Sequence, residues 1–561
     1  MNEKKFFQFD NSYLSLPDIL YSRQQPTPVK APRLLLFNKK LAEELGLFYQ
    51  DERDEILALY FSGNQIPEGA MPIAQAYGGH QFGHFNILGD GRALLLGEHV
   101  TPSKGERYDV QWKGAGRTAY SRNGDGRAAV GPMLREYIIS EAMYHLGIPT
   151  TRSLAVVATG EDIIRETPLP GAVLTRIASS HIRIGTFEFL RHKGDLSALK
   201  ALMDYTLARH FPEIQSHKTP YNESWNCEYQ HNVTQHSVTQ QSDEQRNESR
   251  HREGLPPENQ ALALLKLVME RQIKLVVHWM RVGFIHGVMN TDNMSISGET
   301  IDYGPCAFMD TYDPQTVFSS IDRRGRYRFE NQPSIVLWNL ARLAESLLPL
   351  IHPEESVAIA MASSVLDTFE QQFKTAWLNM MRNKIGLQSV STLLGEDIKG
   401  TRESDSIMTK STVDSHLDEA LIDDLLRIMF ENKLDYTNTF YELSRLLPLQ
   451  VCTPVQSLNE LQSILVSWMP RWYQRLSQES TTDEMKLSLM RSQNPSVIPR
   501  NHKVEEALSE VHETGKLNKV NQLLEVVADP YGGSTISPDI QNEYQKPPSL
   551  SSEPYQTFCG T

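Results

Sequence analysis

The chain has 561 residues, 40% of them hydrophobic, so it is long enough for a buried core and more than one structural unit. Its 69 acidic residues outnumber its 55 basic ones, and the net charge of −14 argues against a general nucleic-acid-binding protein. Four scattered cysteines argue against a disulfide framework or a Cys-x-x-Cys metal site and favour a reducing compartment. The start lacks a signal-peptide pattern and no apolar run approaches membrane-spanning length, so we expect a cytoplasmic protein without membrane or nucleic-acid partners.

The first 70 residues mix short apolar pieces with proline-rich connectors, and one helix is predicted over 39–45. They are interpreted as an extension that packs on the segments that follow. Glycine-dense segments come next, over 75–84 and 88–97. Backbone N–H groups beside glycines such as Gly89 and Gly91 can approach phosphate oxygens, and Arg92 could add a bidentate contact. Ordinary turn chemistry explains the same Gly-Asp-Gly sequence, so both interpretations stay open.

An alternating strand over 108–113 ends in Lys113, and a helix that opens at Pro132 carries Glu136 beside an apolar stripe. Kinase-like small lobes hold nucleotide phosphates with a strand lysine of this kind, which a glutamate of the next helix positions. A solvated surface pair is the plainer interpretation of Lys113 and Glu136. A polar glycine loop over 121–127 separates them.

An apolar strand is predicted over 172–177, and it carries Arg176, with Arg183 shortly beyond it. An arginine within an apolar strand is costly unless its charge is paired. We therefore expect Arg176 to meet a carboxylate or a phosphate, and a structural salt bridge explains its position equally well.

Two polar stretches interrupt the second half of the chain, one over 216–258 and a looser one over about 396–415. Both are too poor in aliphatic residues to bury much surface, so they are interpreted as insertions. A Pro/Ser-rich tail ends the chain in Cys-Gly-Thr.

Helical periodicity predicts helices over 260–280, 334–348, 354–385, 417–431, 436–447, 458–478 and 504–527.

Candidate metal ligands lie in the stretch 286–310. A polar loop holds Asp292 and Asn293, and Asp302 follows with Tyr303-Gly304 after it. Because Mg²⁺ prefers one or two protein oxygens plus substrate phosphates, Asn293 and Asp302 are predicted to bind it. The spacing fits a kinase catalytic loop followed by Asp-Phe-Gly, but it puts Val288 at the position of the catalytic aspartate. A valine cannot accept a proton, which argues against ordinary phosphorylation.

Several long motifs in this order resemble the SelO family of protein adenylyltransferases, which have a pseudokinase fold. The resemblance spans nearly the whole chain apart from the two insertions. It implies the α+β class and a protein-kinase-like bilobal fold with a small β-rich N-lobe and a larger α-helical C-lobe. The implied divisions are an extension over 1–70, the N-lobe over 71–195, the C-lobe over 196–480, and a C-terminal helical segment with its tail over 481–561. The matching segments are 77–83, 88–92, 111–116, 286–293, 302–305 and the closing Cys-Gly-Thr.

The resemblance also implies a reaction. Family members transfer AMP from ATP to Ser, Thr or Tyr hydroxyls of proteins and release pyrophosphate, with the nucleotide turned so that its α-phosphate faces the acceptor. Carried over position by position, Asp292 is the proton acceptor, Glu136 positions Lys113, and Asn293 and Asp302 bind Mg²⁺ or Mn²⁺. The residues implied to contact ATP are Gly89, Gly91 and Arg92 along the nucleotide, and Lys113, Asp125, Gly126, Arg176 and Arg183 along its phosphates.

Two alternatives to AMP transfer stay open at this point. The first is a γ-phosphate kinase, which the valine at position 288 argues against. The second is a catalytically silent nucleotide-binding pseudokinase.

Family members are also thought to link the tail cysteine to a cysteine of the activation-loop region. Cys559 matches the tail position, but the stretch 314–319 contains no partner. Cys306 is the nearby substitute, and a small buried cysteine is the competing interpretation.

Overall fold

The computed structural model describes residues 6–50, 52–215, 259–388, 403–447, 456–532, 537–549 and 555–557. The first predicted insertion, the 396–402 part of the second, and Cys227, Cys452 and Cys559 lie outside these residues. Within them the fold is mixed: a large sheet is built before residue 179, and helices dominate from residue 184 onward. The predicted α+β class is confirmed at this level.

The strands are β1 Tyr21–Arg23, β2 Arg33–Phe37, β3 Ile73–Gln75, β4 Gly78–Gln81, β5 His84–Ile87, β6 Ala93–Val100, β7 Arg107–Lys113, β8 Ala128–Ala129, β9 Arg152–Ile164, β10 Pro168–Ala178, β11 Phe284–Ile285 and β12 Ala307–Phe308. The main sheet has the order β1-β3-β6-β7-β10-β9-β2, and β8 pairs with β10. All its pairings are antiparallel. Two small two-stranded sheets stand apart from it, the hairpin of β4 with β5 and the pair of β11 with β12.

The first 70 residues do more than pack on the sheet, because they supply strands at both of its edges. β1 pairs with β3 at one edge and β2 pairs with β9 at the other. The apolar piece that forms β2 is short, so its strand character depends on a partner that lies more than 100 residues further along the chain.

The helices are α1 Lys39–Glu44, α2 Asp54–Ser62, α3 Val130–His145, α4 Ile184–Lys193, α5 Leu196–His210, α6 Pro212–Gln215, α7 Gln260–Arg281, α8 Gln332–Ile351, α9 Glu355–Leu366, α10 Phe369–Lys384, α11 Glu403–Glu431, α12 Tyr436–Leu443, α13 Gln456–Ile464, α14 Met469–Leu476, α15 Asp483–Gln493, α16 Asn501–Thr514, α17 Asn518–Val527 and α18 Pro538–Gln545. The helix expected over 260–280 is present as α7.

Three helices that were predicted as single elements are pairs in the structure. The stretch 354–385 divides into α9 and α10 around Asp367, and 458–478 divides into α13 and α14. The stretch 504–527 divides into α16 and α17, where Gly515 takes a left-handed φ of 69° that ends α16. In contrast, α11 begins at Glu403 and so includes part of the stretch interpreted as a loose insertion.

The main sheet is covered on both faces because its side chains alternate. On β6, Leu94 packs in a cluster with Trp112 and the helices α1 and α2. The next residue, Leu95, faces the other side and joins the larger core that contains α3 and most of the later helices.

One helix in the described part of the chain, Phe329–Ile351, has the length and apolar content that a membrane crossing requires, although no such run was expected from the sequence. Half of the most apolar 18-residue segment of this helix is buried inside the protein. Its inner side includes Val336, Leu340 and Leu347, which are fully buried in the main core. In this structure it is a core helix, packed against α4, α7 and α9.

Candidate active site

A cavity of about 1360 Å³ is lined by the end of β7, by residues along β10, by the start of α3 and by the stretch 288–305. Residues that were predicted separately along 214 positions of the chain therefore meet in one place. Every predicted site residue lines it: Gly89, Gly91, Arg92, Lys113, Asp125, Gly126, Glu136, Arg176, Arg183, Asp292, Asn293 and Asp302.

Lys113 and Glu136 form a buried ion pair at the floor of this cavity. The Lys113 Nζ lies 2.7 Å from Glu136 Oε2, and the two side chains are 9% and 2% exposed. The interpretation of this pair as solvated surface charges is therefore wrong. Burial lowers the pKa of Lys113 to about 8, and the neighbouring Arg176 acts in the same direction. Glu136 sits on α3 and pairs directly with the lysine at the end of β7, the contact that its implied positioning role requires.

Arg176 meets two carboxylates, which answers the question raised by its place in an apolar strand. Its Nε lies 2.5 Å from Glu136 Oε1 and its Nη2 lies 2.7 Å from Asp302 Oδ1. The guanidinium thereby joins α3 to the loop after β11. Such a buried pair is expensive to break, because removing one partner leaves an uncompensated charge.

Asp302 is the carboxylate on which three cations converge. Besides Arg176, it accepts a hydrogen bond from Arg183 Nη1 and lies 3.8 Å from Lys113 Nζ. Burial alone would raise the pKa of Asp302, but Arg183, Arg176 and Lys113 outweigh it and hold this pKa well below its ordinary value. The backbone of Asp302 has a φ of 60°, a left-handed conformation that aspartate tolerates better than most residues.

Arg183 lies immediately before α4 and connects three parts of the site. It pairs with Ser295 in an isolated antiparallel bridge, and its Nη1 donates to the carbonyl oxygen of Asp292. The guanidinium carbon is 4.7 Å from the centroid of the Tyr77 ring. Its Nε is buried and has no hydrogen-bond acceptor among the described residues. A buried donor without an acceptor is costly, so an anionic ligand such as a phosphate oxygen fits this position.

Asp292 is buried beside these cations but does not pair with them through its side chain. It is 9% exposed, and its Oδ1 has no hydrogen-bond partner in the described part of the chain. Burial raises the pKa of Asp292 to about 7, although Arg183 opposes the shift. A carboxylate with a pKa near neutrality can take a proton from a hydroxyl and release it again.

Asn293 and Asp302 fit the requirements of a hard divalent cation. The Asn293 Nδ2 donates to the carbonyl oxygen of Val288 at 3.0 Å. The Asn293 Oδ1 accepts no hydrogen bond from another described residue, so it is available as a ligand. That amide oxygen and the Asp302 carboxylate are both oxygen ligands of the kind that Mg²⁺ and Mn²⁺ accept. No group of three or more His, Cys, Asp and Glu side chains that could hold a metal occurs in the described ranges. Such an ion would therefore need further oxygens from its substrate and from water.

The polar glycine loop over 121–127 closes another side of the cavity. Gly126 has a φ of 69°, and a Cβ there would lie 2.0 Å from the carbonyl oxygen of Gly116, so only glycine fits. Asp125 is turned to a different partner, since its carboxylate pairs with Arg165 at 2.8 Å and accepts a hydrogen bond from the Arg127 N–H. The structure thus gives Asp125 a role in holding this loop, and its predicted phosphate contact stays a prediction.

Sequence reasoning missed several groups that surround Asp292. Gly79 approaches it so closely that a Cβ would lie 2.2 Å from Asp292 Oδ1. The His80 N–H donates to Thr291 Oγ1 at 2.8 Å, and the His80 ring lies 2.5 Å from the buried carboxylate of Glu188. Burial raises the pKa of Glu188 to about 7. The motif at 77–83 signals Gly79 and His80, but nothing in the sequence connects Glu188 with them.

The described part of the tail reaches the stretch where a disulfide partner was expected. The Thr557 N–H donates to the Phe318 carbonyl at 2.8 Å, and the Ser320 N–H donates to the Thr557 carbonyl at 3.0 Å. Thr557 Oγ1 also donates to the Pro305 carbonyl at 2.9 Å. Cys306 is fully buried, and Cys559 lies outside the described residues. The proposed cysteine link therefore stays a prediction, while the tail and the 318–320 stretch are joined by hydrogen bonds.

Comparison with known proteins identifies the family of this chain. The model of the family "Protein adenylyltransferase SelO" matches residues 5–528. A protein nucleotidyltransferase YdiU of Geobacillus kaustophilus is 50% identical over 555 residues, which cover 99% of each chain. Proteins of the same name from Brevibacillus brevis and Nitrosococcus oceani are 49% and 47% identical, with 98% and 97% of their own lengths covered. The chain therefore belongs to the SelO family of protein adenylyltransferases.

Proposed function

We propose that this protein transfers AMP from ATP to Ser, Thr or Tyr hydroxyls of acceptor proteins and releases pyrophosphate. By its family the chain is a nucleotidyltransferase. The observation that carries the finer proposal is the convergence of Lys113, Arg176 and Arg183 on Asp302, beside the unpaired carboxylate of Asp292. The three cations suit a polyphosphate chain. The carboxylate of Asp292 suits the removal of a proton from a hydroxyl group.

The reaction requires one bond to form and one to break. The acceptor oxygen attacks the α-phosphorus, the bond between that phosphorus and the oxygen bridging to the β-phosphate breaks, and the hydroxyl proton passes to Asp292. Arg183, Arg176 and Lys113 stabilise the charge that develops on the departing pyrophosphate, which is the main contribution expected of a protein in such transfers. A divalent ion held by Asn293 and Asp302 would neutralise phosphate charge and help to fix the triphosphate.

We propose further that the fold is that of a protein kinase, with a β-rich lobe over 71–195 and a helical lobe over 196–480. The lysine at the end of β7, its glutamate on α3 and the paired ligand positions 293 and 302 support this assignment. Val288 lines the cavity where a kinase carries its catalytic aspartate. A nucleotide turned so that its α-phosphate faces the acceptor removes the need for a base there, because Asp292 lies elsewhere in the same cavity.

The proposal extends to the surroundings of the enzyme. The acidic composition supports protein rather than nucleic-acid partners, and the few scattered cysteines support a reducing compartment, for which we propose the cytoplasm. The burial of the Phe329–Ile351 helix supports a protein that acts without a membrane partner. Mg²⁺ and Mn²⁺ have equal support from the two oxygen ligands.

The test uses the purified full chain with ATP labelled at either the α- or the γ-phosphate, Mg²⁺ or Mn²⁺, and a mixture of acceptor proteins. Label on protein from the α position alone is expected. Label from the γ position alone would mean a kinase, and protein without label from either position would mean a silent nucleotide-binding protein. The variant Asp302→Ala should abolish labelling, whereas Asp162→Ala, which changes an exposed aspartate on β9, should leave it intact.

A further inference from the structure

The loop that carries Asp292 has a second side, away from the nucleotide cavity. There the tip of the β4–β5 hairpin and the stretch 320–328 pack against Asn290. Asn290 Oδ1 accepts hydrogen bonds from the Phe82 N–H at 3.2 Å and from Tyr327 Oη at 2.5 Å. Neither the hairpin nor this stretch contributes to the lining of the cavity. Asp292 thus lies between the ATP-binding space and a separate outer surface.

The apolar part of this outer surface is held in an unusual conformation. Phe82 has a φ of 50° at the tip of the hairpin and is 38% exposed. Its ring centroid is 5.5 Å from that of Tyr327, and Ile321 nearby in the same stretch is 52% exposed. A left-handed aromatic residue persists only where its surroundings enforce it, and such positions are concentrated at functional sites. The fold here presents Phe82 to solvent beside the catalytic loop, and it presents Ile321 to solvent on the stretch whose Tyr327 contacts Phe82.

The charged part of the surface is a tight turn with two arginines at its tip. The turn is closed by the Gly325 N–H, which donates to the Asp322 carbonyl at 3.2 Å. The Asp322 carboxylate accepts hydrogen bonds from the Arg326 and Tyr327 N–H groups, so the turn's own backbone occupies it. Arg323 and Arg324 are exposed and form no ion pair with another described residue.

The neighbouring charges do not neutralise these arginines. Glu330 pairs with Arg328 at 2.8 Å, and Glu345 pairs with Arg342 at 2.6 Å. The Arg326 guanidinium lies 4.9 Å from the Trp338 ring centroid, and its Nε is buried without an acceptor in the described ranges. In a chain of net charge −14, this is a local excess of positive charge on the stretch that contacts Asn290, two residues before the proposed proton acceptor.

We propose that Phe82, Ile321, Arg323 and Arg324, here called the acceptor surface, bind the protein that receives AMP and select segments with acidic residues next to the acceptor hydroxyl. The inference rests on the proposed function. Complementary charge at the edge of an interface favours encounter and discriminates between partners. The exposed aromatic and aliphatic side chains supply the apolar contact that charge alone lacks.

The experiment compares three sets of synthetic peptides in which one Ser, Thr or Tyr is flanked by Glu, by Gln or by Lys, with α-labelled ATP and Mg²⁺. The kcat/KM for the Glu-flanked peptides should exceed that for the Gln-flanked ones about tenfold, and the Lys-flanked ones should be the poorest. Raising the ionic strength should shrink the preference, since exposed charges are screened. In Arg323→Gln/Arg324→Gln, the KM for Glu-flanked peptides should rise to the level of the Gln-flanked ones.

The matched control is Arg427→Gln/Arg471→Gln, which removes two arginines that are 56% and 51% exposed on α11 and α14. It should retain the preference for acidic peptides. Equal kcat/KM for all three flanks, or a preference that survives in Arg323→Gln/Arg324→Gln, would overturn the acceptor surface while the proposed function stands. Absence of α-label from every peptide and every acceptor protein would overturn both.

Discussion

At the scale of single residues, the cavity carries an excess of positive charge. In the described part of the chain, Lys113, Arg176 and Arg183 pair with two carboxylates, Glu136 and Asp302. A triphosphate would complete this arrangement, because its negative oxygens can accept from donors that the protein leaves unsatisfied, such as Arg183 Nε. The two carboxylates therefore hold the cations in place without neutralising the site.

The role of Asp292 is tested by Asp292→Asn, which keeps the shape of the side chain and removes its ability to accept a proton. We expect AMP transfer to fall by roughly 10²–10⁴-fold, the usual contribution of a general base. ATP binding should persist, because Arg183 contacts the backbone carbonyl of residue 292 and not its side chain. Transfer rates and ATP titrations of the variant measure the two effects. Transfer within about threefold of the parent rate would contradict the assignment.

At the scale of elements, the β4–β5 hairpin determines where the catalytic loop lies. The hairpin is not part of the main sheet, and it contacts α4 and the 3₁₀ turn Thr291–Asn293. Its backbone approaches so closely that Gly79 and Asp292 are in direct contact. The chemistry of the loop therefore depends on a segment more than 200 residues earlier in the chain.

This dependence predicts the effect of Gly79→Ala. The added Cβ would lie 2.2 Å from Asp292 Oδ1, so the hairpin or the loop must shift, and we expect AMP transfer to fall at least about tenfold, since small misplacements of catalytic groups are costly. Gly83→Ala is the control in the same hairpin, because its φ of 89° brings backbone strain while its Cβ would meet no atom within 4 Å. Both variants need measurements of transfer rate and thermal unfolding. A Gly79→Ala protein as active as the Gly83→Ala protein would rule out this contact as a determinant of activity.

At the scale of the whole molecule, a partly buried histidine links stability to pH. Burial, with help from Arg209 and Arg271, lowers the pKa of His210 to about 3. Ser180 Oγ lies 2.8 Å from its Nε2, which suits a neutral ring. The unfolded chain takes up a proton at this position below pH 6.5 and the folded chain does not, so the free energy of unfolding should decrease as the pH falls from about 6.5 towards 3.

We expect His210→Gln to weaken this acid sensitivity. Between pH 6.5 and 4.5 the variant should lose about 1–2 kcal/mol less of its free energy of unfolding than the parent protein. Urea unfolding at the two pH values measures the difference. His416→Gln, which changes a side chain that is 83% exposed, provides the comparison and should behave like the parent. An equal loss in the His210→Gln and parent proteins would mean that His210 does not resist protonation in the folded state.

The sequence by itself determined the mixed class, the family and a set of candidate residues that all line the cavity, because motifs such as 286–293 and 302–305 are local and ordered along the chain. Helical periodicity located α7, and an apolar run located the central part of β10. The breaks between α9 and α10 and between α16 and α17 did not, since an apolar stripe that continues across a break keeps the helical pattern.

The tertiary structure alone decided which charges meet. From the sequence, the partner of Arg176 was expected to be a carboxylate or a phosphate. In the fold its partners are the carboxylates of Glu136 and Asp302, which lie 40 and 126 positions away along the chain. Likewise, the sequence alone favoured a solvated surface pair for Lys113 and Glu136, and only packing showed them buried. Ion pairs and burial depend on contacts between distant segments, and residue spacing along the chain does not contain those distances.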